Sequence, residues 1–212
     1  LITEVSMAVA KAAMDSGVAR RPIQDWKAYR QHLRELMGQE SKFTQNLYDT
    51  ARSNPKRVVF AEGTHPTMLE AAVRAKEEGI CFPILLGNDV QIRAIAENLK
   101  LNLEGIEILN LRNDNQNERR HRYASIFAKK MERKGYTPQE AEDKMYERNY
   151  FGMMMVETGE ADAFITGLYT KYSNTIKVAN EVIGIRSPYK HFGTLHLINS
   201  KKGISFIADI LI

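Results

Sequence analysis

Between Arg57 and Leu109 the chain alternates short apolar runs with amphipathic stretches, and few folds accommodate that order. Arg57-Val58-Val59-Phe60 reads as a strand. A helix follows from about Pro66 to Glu78, with Leu69, Ala72 and Val73 facing inward. Pro83-Ile84-Leu85-Leu86 is the next strand, punctuated by Gly87-Asn88. A helix carrying Ile92, Ile95, Ala96 and Leu99 comes next, then the strand Ile106-Glu107-Ile108-Leu109. This β-α-β-α-β order predicts a parallel sheet with covering helices. The expected class is α/β: a three-layer α/β/α arrangement with a mostly parallel sheet, preceded by an all-helical segment.

That helical segment occupies residues 1–40, and residues 41–212 form the α/β part. Ile2, Val5, Val9 and Ala12 recur at helical spacing before Gly17, and Arg20-Arg21-Pro22 breaks the pattern. A second helix from about Asp25 carries Trp26, Tyr29, Leu33 and Leu36 on one face, with Gly38 as its stop. Further on, residues 115–134 read as a polar helix with Tyr123, Ile126, Phe127 and Met131 inward. Thr137-Pro138-Gln139-Glu140 is a capping-box start for one helix running to about Glu157. Its methionines, Met145, Met153, Met154 and Met155, suit a core, with a subunit interface as the alternative. A turn and strand over 161–167, a short helix from Ser173 to Val182 and a hairpin of residues 194–199 and 204–212 complete the chain. The chain starts without Met inside an apolar-periodic segment and stops in an apolar run, so more chain is expected on both sides.

Composition narrows the function classes. The 30 Lys and Arg are interspersed with 26 Asp and Glu for a net charge of +4, which gives no case for nucleic acid. The densest basic stretch, Glu118 to Arg122, reads as a solvated helix face. The single Cys81 excludes an intrachain disulfide, and its apolar neighbours suit a buried small hydrophobe. No His/Cys spacing suggests a metal site. No apolar run approaches the ~20 residues that span a bilayer, and no signal peptide is visible, so a cytoplasmic address is expected.

In open α/β sheets, ligands sit beyond the carboxyl ends of the strands. Three loops qualify: Ala61 to His65, Gly87 to Asp89, and Thr166-Gly167 with the segment up to Lys177. The last combines hydroxyls, an amide side chain, two lysines and a helix N-terminus, all suited to a phosphate. A plain capped helix with surface lysines is the competing interpretation. No G-x-G-x-x-G, Walker sequence or G-x-S-x-G occurs, so neither a dinucleotide site nor a hydrolase elbow is supported. His65 and His196 are too isolated for a relay, and Asp162 reads as a turn residue. Glu62 is the carboxylate placed for a site role, without an obvious basic partner.

From about Pro55 onward the chain resembles the phosphotransacetylase family. The landmarks are Val58 to Gly63, Leu69-Glu70-Ala71-Ala72, Ile84 to Asn88, Lys134-Gly135-Tyr136-Thr137, Tyr150-Phe151-Gly152-Met153-Met154 and Gly159 to Ala163, in the family's order. The match covers about the first half of such a protein. Val5 to Arg20 is similar to the end of a bacterial malic enzyme catalytic region, and the combination resembles the large hybrid NADP-dependent malic enzymes. Val182 to Arg186 and Phe206 to Asp209 point the same way.

The departures from active transacetylases are informative. Their arginine four residues before the Lys-Gly-x-Thr glycine is Met131 here. In their phosphate loop an Asp is replaced by Asn174 and an Arg by Lys177, and lysine lacks the bidentate fork of arginine. Their Asp-x-Arg after the first strand has become His65-Pro66-Thr67. The resemblance therefore implies a regulatory, non-catalytic module. It would bind acetyl-CoA, or phosphate or a related small molecule, through Thr166, Gly167, Tyr172, Ser173, Asn174 and Lys177, within a homo-oligomer. NADP and a divalent metal, Mg or Mn, would belong to a malic enzyme region upstream of Leu1, and no catalytic or metal-binding residue is expected in this chain. An active phosphate acetyltransferase and a purely architectural module are the alternatives.

Overall fold

The computed structural model describes residues 2–36, 42–200 and 203–208. They divide into two units, one formed by the chain up to Thr50 and from Gly193 onward, the other by Ala51–Phe192.

The first unit holds α1 (Ile2–Asp15), α2 (Trp26–Leu36), most of α3 (Lys42–Ser53) and a hairpin of β5 (Leu195–Ser200) and β6 (Gly203–Ala208). Arg30 pairs with Glu4 at 3.2 Å between α2 and α1. The hairpin is antiparallel, with Leu195 opposite Ala208 and Ser200 opposite Gly203. The expected stop at Gly38 lies outside the described residues, as do the last residues of the expected second hairpin strand.

The second unit is a parallel sheet of β1 (Lys56–Phe60), β2 (Cys81–Leu86), β3 (Glu107–Leu109) and β4 (Ala163–Ile165), in the order β3-β2-β1-β4. On one face lie α4 (Pro66–Glu77) and α5 (Asp89–Leu99). Leu69, Val73, Ile92 and Ala96 pack there against Phe60, Cys81 and Leu85. On the other lie α6 (Asn117–Met131), α7 (Pro138–Lys144), α8 (Arg148–Glu157) and α9 (Tyr172–Val182). Phe127, Phe151, Met154 and Val182 cover Val59, Ile84 and Leu86 there. Successive strand residues point to opposite faces, so a strand buried on both sides is an apolar run rather than an alternation. This is the expected α/β/α layering, and the methionines named in sequence are core residues. Cys81 is buried and unpaired, and burial raises its thiol pKa.

Three expectations change. Ile126, expected to face inward with Tyr123, Phe127 and Met131, is exposed on α6. The helix from Thr137 to Glu157 is two helices, because Glu147 adopts an extended backbone (φ −88°, ψ 126°) and restarts the chain as the N-cap of α8. The basic stretch is not a uniformly solvated face. The Arg120 guanidinium is buried, donates to the carbonyls of Leu111 and Asn113 and to Asn117, and lies 4.5 Å over the Tyr146 ring. The capping box holds: Glu140 N–H donates to Thr137 Oγ1 (3.2 Å) and Thr137 N–H donates to Glu140 Oε2 (2.8 Å). The Thr137 N–H and the Thr137 hydroxyl both donate to the Glu140 carboxylate, and these bonds to its charged form lower the Glu140 pKa. Among the described residues, no helix is long and apolar enough to cross a membrane.

Candidate functional site

The sheet runs outward from β1 to β3 on one side and places β4 on the other, so the strand order reverses between β1 and β4. In such sheets the loops diverge there and leave a crevice at the carboxyl ends. The loops after β1 and β4 are tied across this point by Glu62, a side chain that is 1% exposed. Its Oε1 accepts from Thr166 Oγ1 at 2.9 Å and from Gly167 N–H at 3.2 Å. Its Oε2 is buried with no hydrogen-bond partner among the described residues. Glu62 therefore works through two donors rather than the basic partner sought in the sequence.

Beyond the strand ends lies a cavity of about 870 Å³. It falls within the roughly 300–1,000 Å³ range of small-molecule sites. Every strand of the sheet contributes a wall through the segment that follows it: Thr64 after β1, Gly87 and Asn88 after β2, Asn110 and Arg112 after β3, and Thr170 after β4. The break between α7 and α8 supplies Lys144, Tyr146, Glu147, Arg148 and Asn149. The start of α9 supplies Asn174 and Lys177.

The electrostatics of this cavity favour an anion. The N-termini of α5, α8 and α9 all border it, through Asn88, Arg148 and Asn174 respectively. Helix N-termini carry partial positive charge and unpaired N–H groups. The Asn88 side chain already accepts from Gln91 N–H at 3.1 Å, whereas α8 and α9 have no side-chain cap. Four cationic side chains line the walls: Arg112, Lys144, Arg148 and Lys177. Lys144 pairs with Glu147 at 2.7 Å, a hydrogen bond that raises its pKa. Arg112 and Arg148 form no ion pair with a carboxylate among the described residues. The Arg148 guanidinium lies 5.5 Å over the Tyr169 ring.

The six residues singled out in sequence fall into three groups. Asn174 and Lys177 line the cavity. Thr166 and Gly167 are engaged by Glu62 and belong to the scaffold behind it. Tyr172 and Ser173 are exposed on the first turn of α9, outside the lining. His65 stacks edge-on against Tyr169 at 5.4 Å, and His196 is exposed on β5. Asp162 accepts from the backbone N–H of Arg57 at 2.8 Å and pairs with its guanidinium at 3.0 Å, joining the starts of β1 and β4. Asn110 and Arg112 follow β3, so the strand-end rule applied to the third strand would have found them. Arg148 and Asn149 had no such signal, since no Gly or Pro marks the break at 145–147. Among the described residues, no group of three or more His, Cys, Asp or Glu side chains could hold a metal ion.

Met131 is 2% exposed and packs in the core formed by α6 to α9. The position where the resemblance places an arginine in active transacetylases is thus filled by an apolar core side chain.

Comparison with known proteins agrees with this architecture. The family model described as phosphate acetyl/butaryl transferase matches residues 42–212. The NADP-dependent malic enzyme of Salmonella typhimurium is 35% identical over 99% of this chain, which covers 28% of that protein. That of Rhizobium meliloti is 34% identical over 91% of the chain. The phosphate acetyltransferase of Helicobacter pylori is 31% identical over 80% of the chain and 29% of its own length. The chain thus spans between a quarter and three tenths of the length of each of these three relatives. Among solved structures, EutD phosphotransacetylase from Staphylococcus aureus superposes with a TM-score of 0.63 at 22% identity, over 74% of this chain and 48% of that one. A phosphotransacetylase from Streptococcus pyogenes gives 0.64 over 77% and 49%. By the extent of the family match, with the parallel sheet in agreement, the chain belongs to the phosphate acetyl/butaryl transferase family.

Proposed function

We propose that this chain is the acetyl-CoA-sensing part of an NADP-dependent malic enzyme and that it binds the effector without transferring its acetyl group. The observation that carries this reading is the cavity at the strand ends, walled by Lys177, Arg112 and Arg148 and by amide side chains. Phosphoryl groups suit such a lining, because guanidinium and ammonium donors form charge-assisted hydrogen bonds to them.

The loss of transfer rests on the residues at three positions. Lys177 offers a point charge where an arginine fork would hold a phosphoryl group bidentately. Asn174 has no negative charge. Met131 is committed to the core. A pocket can keep ground-state binding energy while losing the interactions made only in the transition state. Oxidation of malate, with NADP and a divalent metal, would belong to residues outside this chain.

The test uses the intact protein. Acetyl-CoA is titrated while malate-dependent NADP reduction and acetyl phosphate formation are followed in parallel. Inhibition without acetyl phosphate is the expected result. Acetyl phosphate turnover would establish an active acetyltransferase instead, and absence of acetyl-CoA binding would leave an architectural role.

A further inference from the structure

The Glu181 side chain on α9 lies outside the cavity lining and is 11% exposed, yet it touches groups that shape the cavity. Its Oε2 accepts from Tyr150 Oη at 2.5 Å and from Tyr136 Oη at 3.2 Å. Its Oε1 is 4.0 Å from Nζ of Lys177, one turn earlier on the same helix. Tyr150 and Lys177 both line the cavity.

The acceptor's surroundings are packed on both sides. Phe127 stands edge-on to both tyrosine rings, at 5.3 Å from Tyr136 and 5.5 Å from Tyr150. Lys130 Nζ donates to the Val182 carbonyl and, at 3.2 Å, to that of Ile183, which fixes the end of α9. The Lys177 side chain, by contrast, is 68% exposed. A nearly buried carboxylate needs charge compensation; among the described residues Lys177 is the cation that pairs with it, at 4.0 Å, and Lys144, whose pKa Glu181 helps to raise, acts on it without forming an ion pair. Lys preceding Glu by four residues is the weaker orientation of a helical pair. Lys177 is therefore loosely held, and an anion in the cavity competes with Glu181 for it.

We propose that Glu181 is a positioning residue for Lys177: with the hydroxyls of Tyr136 and Tyr150 sharing its charge, it sets how much of the lysine's charge reaches an anion in the cavity. The inference depends on the reading that the cavity takes an anionic ligand. Removing the carboxylate charge releases Lys177. Removing the Tyr136 hydroxyl concentrates the charge on the lysine and withholds it.

The experiment is calorimetric titration of the intact protein with inorganic pyrophosphate and, separately, with acetyl-CoA, at low and high NaCl. Glu181→Gln is expected to tighten binding by about two- to fivefold and Tyr136→Phe to weaken it by a similar factor, as for a partly exposed ion pair. Both effects should shrink at high salt and disappear in a Lys177→Ala background. An unchanged or weaker Glu181→Gln, or a shift that persists without Lys177, overturns the proposal in favour of a plain structural brace. If one variant does not fold, the other, of opposite sign, still decides. Pyrophosphate binding without acetyl-CoA binding would sink the acetyl-CoA reading and leave the Glu181 effect readable on pyrophosphate. Binding of neither overturns both.

Discussion

Asp162 illustrates how one carboxylate can fasten two strands that are far apart in sequence. Its side chain takes both the backbone N–H and the guanidinium of Arg57, and these bonds lower its pKa from 3.8 to about 2. A carboxylate depressed in the folded state contributes stability that is fully present above its unfolded pKa. That contribution is lost as pH falls toward the folded value. Thermal melts of the intact protein should therefore show part of the stability of the Ala51–Phe192 unit declining between about pH 4 and pH 2. Asp162→Asn should flatten that decline and lower the melting temperature at neutral pH. An unchanged acid limb would show that the pair at the starts of β1 and β4 contributes nothing measurable. The sequence placed Asp162 in a turn. It could not show that the turn stands beside Arg57, more than 100 residues earlier.

At the scale of elements, α8 is seated against the sheet because one residue has no side chain. A Cβ on Gly152 would stand 2.3 Å from Cε2 and 2.7 Å from Cδ2 of Phe164 on β4, and 3.1 Å from a Leu86 methyl. Alanine favours a helix over glycine by about 1 kcal/mol, but the clash must push the helix away from β4. Gly152→Ala should therefore destabilise by about 1–3 kcal/mol, as overpacking in a core does. Denaturant melts measure it, and a neutral or stabilised variant would mean that Phe164 has room to turn. Elements with a clear period were readable in advance: the strands at 57–60, 83–86 and 106–109 and their covering helices emerge close to where the apolar pattern put them. The break before α8 was not, because Met145 is a buried residue in phase with the helix and no Gly or Pro follows it until Gly152. That break carries Lys144, Glu147, Arg148 and Asn149 to the cavity, so missing it meant missing one wall of the site.

For the whole molecule, the site is a product of topology rather than of one motif. Lys177 could be suspected from its own loop, since a helix N-terminus, hydroxyls and lysines stand together in sequence. Arg112 could be suspected only from its place just beyond the end of the third strand. Their convergence on one cavity depends on β3 and β4 lying at opposite edges of the same parallel sheet. If both cations contact one extended anionic ligand, each truncation removes a charge-assisted hydrogen bond, worth ~1.5–3 kcal/mol. Lys177→Ala and Arg112→Ala should each lower acetyl-CoA affinity by about tenfold or more, a size that corresponds to that free energy. Side chains on separate elements with no shared protein partner should lose affinity additively in the double variant. Each single variant should also lessen the dependence of binding on NaCl, because one fewer ion pair is screened. A Lys177→Ala variant that binds acetyl-CoA as the parent does would remove Lys177 from the site and leave Arg112, Lys144 and Arg148 as its charged wall. A double variant no worse than either single would mean that the two residues do not hold the ligand at the same time.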